Sequence, residues 1–239
     1  MGGDEPRLGP GKPDRVAALL RAVAGGAPFV GAALNELITV TIPGVRQSRI
    51  EEYLIALRAK LEVLSEEQLR LRVGSDLALD LIEEGAYQAV RALTEERRDQ
   101  ITNAVAFGLC GRKSELLEAK RILQLLKELD DAQVIILASK LMKNSRDDEF
   151  RSRHANVLET VFPSFNSTRE ELDRGIVQDM GKQKLLSLGL IRQNFTKVRK
   201  GELPTFDGKT GMVKSTGTDI TPLGLLLLRR IGLADEADY

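Results

Sequence analysis

Cys110 and His154 are the only cysteine and the only histidine in this 239-residue chain, so any thiol–imidazole chemistry must use these two. Cys110 closes the apolar run AVAFGLC, where a lone cysteine packs as a small hydrophobe. His154 ends the charged stretch NSRDDEFRSRH, which reads as an exposed segment. An intrachain disulfide is impossible, and one Cys with one His makes a zinc site only if several carboxylates join them. GLCGRKS, residues 108–114, has the composition of a phosphate loop but the wrong spacing. Two residues separate its glycines where four are needed, Arg112 precedes the Lys-Ser step, and a helix rather than a strand leads in. It reads as a helix end followed by a new helix start. DGKT, residues 207–210, is a turn. No paired carboxylates or metal-spaced cluster stand out. The expectation is a non-enzyme with no metal and no cofactor.

The remaining chemistry is electrostatic. Lys182, Lys184, Arg192, Lys197, Arg199, Lys200, Lys209 and Lys214 face only Glu202 and Asp207 between residues 182 and 217. Eight basic against two acidic residues make the segment +6 within a chain of zero formal net charge. Such a segment would meet phosphates and release counterions. The competing reading is a solvated loop with incidental charge, and Glu170, Glu171 and Asp173 just upstream oppose an anion-binding face.

The elements that must position these residues are helical. Hydrophobic residues make up 42% of the chain and aromatics only 4%, with no Trp. A core of Leu, Ile, Val and Ala favours helix-on-helix packing. The start, MGGDEPRLGPGKPD, reads as a disordered leader over residues 1–13 without a signal pattern. With one cysteine, a reducing and hence cytoplasmic location is expected. The most apolar segment, residues 22–45, carries Asn35 and Glu36 near its middle and is interrupted by Pro28 and Pro43, which argues against a membrane span. Its small residues suit close packing against the chain's own core or across a dimer.

Asp14 can cap a first helix ending at Gly25 and Gly26, and Pro28 can open a second. After Pro43 and Gly44, Ile50, Leu54, Leu57, Leu61 and Leu64 recur at helical spacing. Ser65 with Gln68 has the form of a capping box. Leu77, Leu81, Ala89 and Leu93 form the seam of a further helix weakened by Gly85, and Thr94 caps the next. Leu116, Ala119, Leu123, Leu126 and Leu129 continue the pattern. Within this region, PGVRQSRIEEYLIALRAKLEVL followed by TEERRDQITNAVAFGL resembles a pattern in uncharacterised bacterial helical proteins linked to abortive infection and phage defence. The resemblance covers residues 25–130 and implies a bacterial source, with no catalytic residues to carry over.

Residues 130–142 read as a buried helix. Ser167 with Glu170, or Thr168 with Glu171, offers a capping box, and MGKQKLLSLGLIRQNF gives a helix ending near Gly189 that leads into a strand. A polar, Gly-containing arm returns through MVKSTGTDI to ITPLGLLLLRRIG. There Thr221 is the N-cap, Pro222 the first helical residue, and Leu223, Leu226 or Leu227, and Ile231 the buried side. Leu185, Leu188, Gly189, Leu190, Ile191, Ile220, Thr221, Leu223 and Gly224 together resemble winged-helix domains. That resemblance implies a Gly-Leu-Ile step from recognition helix into wing, with Lys182, Gln183 and Ser187 as the candidate readers of a nucleic acid.

The expected architecture is mainly α. A multi-helix bundle over residues 14–129 precedes a winged-helix-like α+β unit with a small β-hairpin over residues 130–239. The leading functional expectation is a non-catalytic interaction protein, a bacterial defence or regulatory factor acting through self-association and a protein partner docked on the C-terminal unit. The alternative is a DNA-binding transcriptional regulator using the 182–214 segment.

Overall fold

The computed structural model describes residues 44–73, 75–159, 167–198, 201, 203–208 and 211–238. The leader and the helices expected from Asp14 and Pro28 lie outside these residues. Among the described residues there are eleven α-helices and one two-stranded antiparallel sheet. They form two compact units, one of residues 44–127 with Arg230–Gly232, the other Glu128–Arg229 with the residues from Leu233 onward.

The first unit holds α1 (Gly44–Lys60), α2 (Glu66–Val73), α3 (Asp76–Arg91), α4 (Glu95–Cys110) and α5 (Lys113–Lys127). The capping box before α2 forms as expected: the Ser65 amide donates to Gln68 Oε1 at 2.9 Å and the Gln68 amide to Ser65 Oγ at 3.2 Å. Thr94 Oγ1 caps α4 by accepting from the Arg97 amide. Helix α4 packs against α5, α1 and α3, which explains why it buries residues on most of its circumference. Thr102, within that buried helix, donates its hydroxyl to the Arg98 carbonyl at 2.7 Å, so no buried donor is orphaned there. Ile50, Leu54, Leu57 and Leu61 are all buried, as are the five seam residues from Leu116 to Leu129.

Two expectations for α3 need correction. The helix ends at Arg91, and Leu93 is 82% exposed, because the chain has already left helical geometry before the Thr94 cap. Gly85 is not a weak point but a contact. A Cβ there would collide with Tyr53 Oη and would stand 2.7 Å from Val105 Cγ2. Gly108 plays the same part between α4 and α5, since its Cβ would meet Ala119 Cβ at 2.6 Å and Leu81 Cδ2 at 2.8 Å.

The second unit begins with α6 (Asp131–Ala138), capped by a complete Asp130–Gln133 capping box. The buried helix expected over 130–142 is therefore shorter. Its chain turns after Ala138, Leu141 remains buried, and Met142 begins the short helix α7 (Met142–Ser145) on the surface. Then follow α8 (Asp148–Arg153), α9 (Ala155–Leu158) and α10 (Arg169–Ser187). Of the two boxes offered before α10, Thr168 with Glu171 is the one formed, and both of its hydrogen bonds are present. Neither Gly175 nor Gly181 interrupts this nineteen-residue helix. It stops where Gly189 takes a φ of 67°, a conformation glycine adopts without steric cost.

Strands β1 (Ile191–Phe195) and β2 (Ser215–Ile220) pair from Ile191↔Ile220 outward, with an irregularity between Asn194 and Phe195. Farther out the arm is held by a Phe206↔Val213 bridge, and Gly211 turns the chain with a φ of 68°. Helix α11 (Pro222–Arg230) starts as expected, with Thr221 Oγ1 accepting from the Gly224 amide at 3.1 Å. The same hydroxyl donates to the Gly189 carbonyl at 2.6 Å. The buried side of α11 differs from expectation. Gly224, Leu225, Leu227, Leu228 and Ile231 are buried, while Leu223 is 38% exposed. The cause is Gly224, which approaches the Leu190 carbonyl so closely that its side of the helix, not that of Leu223, faces the sheet.

Candidate docking surface of the second unit

Helix α10 buries only Gly181 and Leu185 of its nineteen residues. It is held by polar ties: Gln178 Nε2 donates to the carbonyls of Val157 at 3.1 Å and Glu159 at 2.6 Å, and Lys184 Nζ lies 2.6 Å from Glu128 Oε2. On its open surface Leu172, Ile176 and Met180 recur at four-residue steps, with Val177 beside them. Ile176 is 67% and Met180 62% exposed. Val177 and Met180 also line a small cleft of about 130 Å³, walled by Ile136 of α6 and Val157 of α9. Separately, the hairpin exposes Phe195, Leu203, Phe206 and Met212. An exposed apolar stripe like that of α10 is uncommon on a face that meets only water. The sequence carried the helical spacing of Leu172, Ile176 and Met180, but nothing in it distinguished an outward stripe from a core seam.

Two of the basic residues singled out in the sequence are drawn into ion pairs. Lys182 Nζ is 3.6 Å from Asp179 Oδ1, and Lys184 is bound to Glu128. Ser187 donates its hydroxyl to the Lys184 carbonyl at 2.8 Å, which closes the last turn of α10. Arg192 is exposed, and its register partner across the sheet is Asp219. Gln183, Lys197 and Lys214 are exposed. Arg199, Lys200 and Lys209 lie outside the described residues. One cation was missed by the sequence reading. Lys140 is half-buried, and burial first, then the charge of Lys182, hold its ammonium below the usual range, while Asp219 opposes the shift. The positive charge is thus partly compensated by Asp179, Glu128 and Asp219, acids that lie outside the 182–217 segment.

The thiol and the imidazole each lie against identifiable neighbours. Burial pushes the Cys110 thiol up, an effect only partly offset by the Arg72 guanidinium, so its reactive thiolate is disfavoured at neutral pH. The His154 ring packs edge-on to Phe150 with centroids 4.7 Å apart, at the junction of α8 and α9. Among the described residues no group of three His, Cys, Asp or Glu side chains could hold a metal ion, and no helix is long and apolar enough to cross a membrane. Compared with family models, with curated proteins and with solved structures, the chain matches none.

Proposed function

We propose that this is a non-catalytic interaction protein that self-associates through α10, a cytoplasmic regulatory or defence factor of bacterial type. The observation that carries the reading is the open stripe of Leu172, Ile176 and Met180, continuous through Val177 with the cleft beside α6. Fully burying one such side chain contributes about 1.5–3 kcal/mol, so four of them give a pairing a usable driving force even after association entropy. Charge favours a second copy in antiparallel orientation. The first turn of α10 carries Glu170 and Glu171 beside Arg169, and Lys182 and Lys184 stand near its end, so a two-fold pairing sets the acidic start against lysines that within one chain already meet Asp179 and Glu128. The order of α10, β1, β2 and α11, with Gly189 at the helix-to-strand step and Thr221 and Gly224 at the closing helix, supports a winged-helix-like reading of the second unit.

Sedimentation velocity over a concentration series tests the reading. The native chain should show a concentration-dependent dimer, and Ile176→Glu with Met180→Glu should abolish it while leaving the helical circular dichroism intact. A chain that stays monomeric throughout, or a dimer indifferent to both changes, overturns self-association through α10.

The DNA-binding reading draws on the exposed Arg192, Lys197 and Lys214. Titration with random duplex DNA at two salt concentrations decides it. Each phosphate contact removed by substituting these residues with Ala should lower the salt slope by about one, and absence of binding at low salt ends this alternative.

A further inference from the structure

The arm that joins β1 to β2 carries a chemistry that self-association through α10 does not use. From Phe195 to Lys214 it holds six large apolar residues: Phe195, Val198, Leu203, Phe206, Met212 and Val213. All six are exposed, from 38% at Val213 to 88% at Leu203, whereas Ile191 at the root of the same hairpin is buried.

The backbone of the outer arm puts apolar groups on both of its faces. Phe206 and Val213 are bridge partners, flanked by the Lys214 amide donating to the Thr205 carbonyl and the Asp207 amide to the Met212 carbonyl, each at 2.8 Å. Bridge partners share one face of an antiparallel pair, and the next residue along each strand points to the other face. Phe206 and Val213 therefore stand together on one side, with Met212 and Lys214 on the opposite side. A partner laid flat against the arm would cover only one of these sides. A medium that closes around the arm covers both.

Charge names that medium. Residues 195–214 include five basic and two acidic residues, so this stretch carries a formal charge of 5 − 2 = +3 in a chain of zero net charge. Lys197 and Lys214 are exposed and interleaved with the apolar groups, Lys197 beside Val198 and Lys214 beside Val213. Apolar side chains bordered by lysines suit the boundary between lipid headgroups and acyl chains, where lysine stems lie along the apolar layer and their ammonium groups reach the headgroups. Anionic lipids add an attraction for each lysine close to the surface. Single-stranded nucleic acid fits less well, because it binds by stacking on aromatic rings and four of the six apolar residues have none. We infer that this arm docks the protein on an anionic lipid surface, with Leu203, Phe206, Met212 and Val213 in the acyl boundary and Lys197 and Lys214 at the lipid phosphates.

The test is flotation of the full chain with vesicles of phosphatidylcholine mixed with phosphatidylglycerol, against vesicles of phosphatidylcholine alone. Because the chain has no Trp, Phe206→Trp places a single reporter on the arm. The expected result is binding to the mixed vesicles, at least about tenfold weaker binding to phosphatidylcholine alone, and a blue-shifted reporter emission that brominated acyl chains quench. Phe206→Ser with Met212→Ser should weaken vesicle binding by about tenfold or more, with the helical circular dichroism unchanged. Lys113→Gln, an exposed cation of the first unit, should leave binding unchanged. No flotation with the mixed vesicles, an unshifted reporter on bound protein, or binding indifferent to the double serine variant would overturn the inference. A reporter shift produced by poly(dT) and not by vesicles would overturn it too, assigning the arm to single-stranded nucleic acid. None of these outcomes depends on whether the chain dimerises through α10.

Discussion

Gly85→Ala tests how the first unit is packed, because helix propensity and tertiary contact predict opposite signs. In an exposed helix the change should stabilise by about 1 kcal/mol, since Gly is the poorest ordinary helix former. At position 85 the new methyl would run into Tyr53 Oη and stand 2.7 Å from Val105 Cγ2 and 3.1 Å from Tyr53 Cζ. Tyr53 has nowhere to go. It is 1% exposed, and its hydroxyl donates to the Ile82 carbonyl at 3.3 Å. Overpacking a tight core costs about 1–3 kcal/mol, and displacing the phenol from its acceptor adds about 1–3 kcal/mol for a buried donor left unsatisfied. After the propensity gain, a net destabilisation of about 1–5 kcal/mol is expected. Tyr53→Phe supplies the decisive comparison. Alone it removes one long hydrogen bond and should cost about 0.5–1.5 kcal/mol. Combined with Gly85→Ala it removes the colliding atom, so the double variant should be less destabilised than the two single changes added together. A coupling of about 1 kcal/mol or more is expected from residues in direct contact. Equilibrium urea denaturation followed by far-UV circular dichroism measures all four proteins. A Gly85→Ala protein as stable as the parent, or an additive cycle, would refute this account of the α1–α3 contact.

Three further outcomes follow from described contacts. Burial pushes the Tyr53 phenol above its ordinary value, so the folded chain keeps that proton at pH values where the unfolded chain loses it. The stability this confers is fully present below about pH 10, the value for a free tyrosine, and falls as pH rises beyond it; Tyr53→Phe should flatten that decline in urea midpoints measured against pH. Thr221→Val should destabilise the second unit by about 1–3 kcal/mol through loss of a helix cap and of the bond to Gly189, with Thr221→Ser recovering most of it. Cys110 should react with iodoacetamide at neutral pH several-fold more slowly than a free thiol, and Arg72→Ala should slow it further by removing the charge that favours the thiolate.

Much of the helical architecture was legible because local chemistry and burial agreed. Ser65 with Gln68, Thr94, and Thr221 before Pro222 are caps whose partners lie within three residues, so the sequence contains everything needed to place them. The Ile50 to Leu61 and Leu116 to Leu129 seams obey one period and are buried accordingly. Errors arose where a neighbour distant in sequence decides the outcome. Gly85 looked weak because Tyr53 and Val105 are 32 and 20 positions away, on other helices. The exposed Leu223 and the buried Gly224 exchange expected roles because a carbonyl on the far side of the hairpin, that of Leu190, fixes the angle of α11. The charges of 182–214 looked uncompensated because Glu128 lies outside the segment, although it meets Lys184 in space.

The Thr221 hydroxyl grips the end of one helix and the beginning of another with a single oxygen. The hairpin between them is consequently clamped at its root, and its tip is free of that clamp. Shortening the outer arm, or splicing a label or affinity tag into it near Gly208, should leave the rest of the unit undisturbed. That makes the arm a practical handle for attaching probes to this protein.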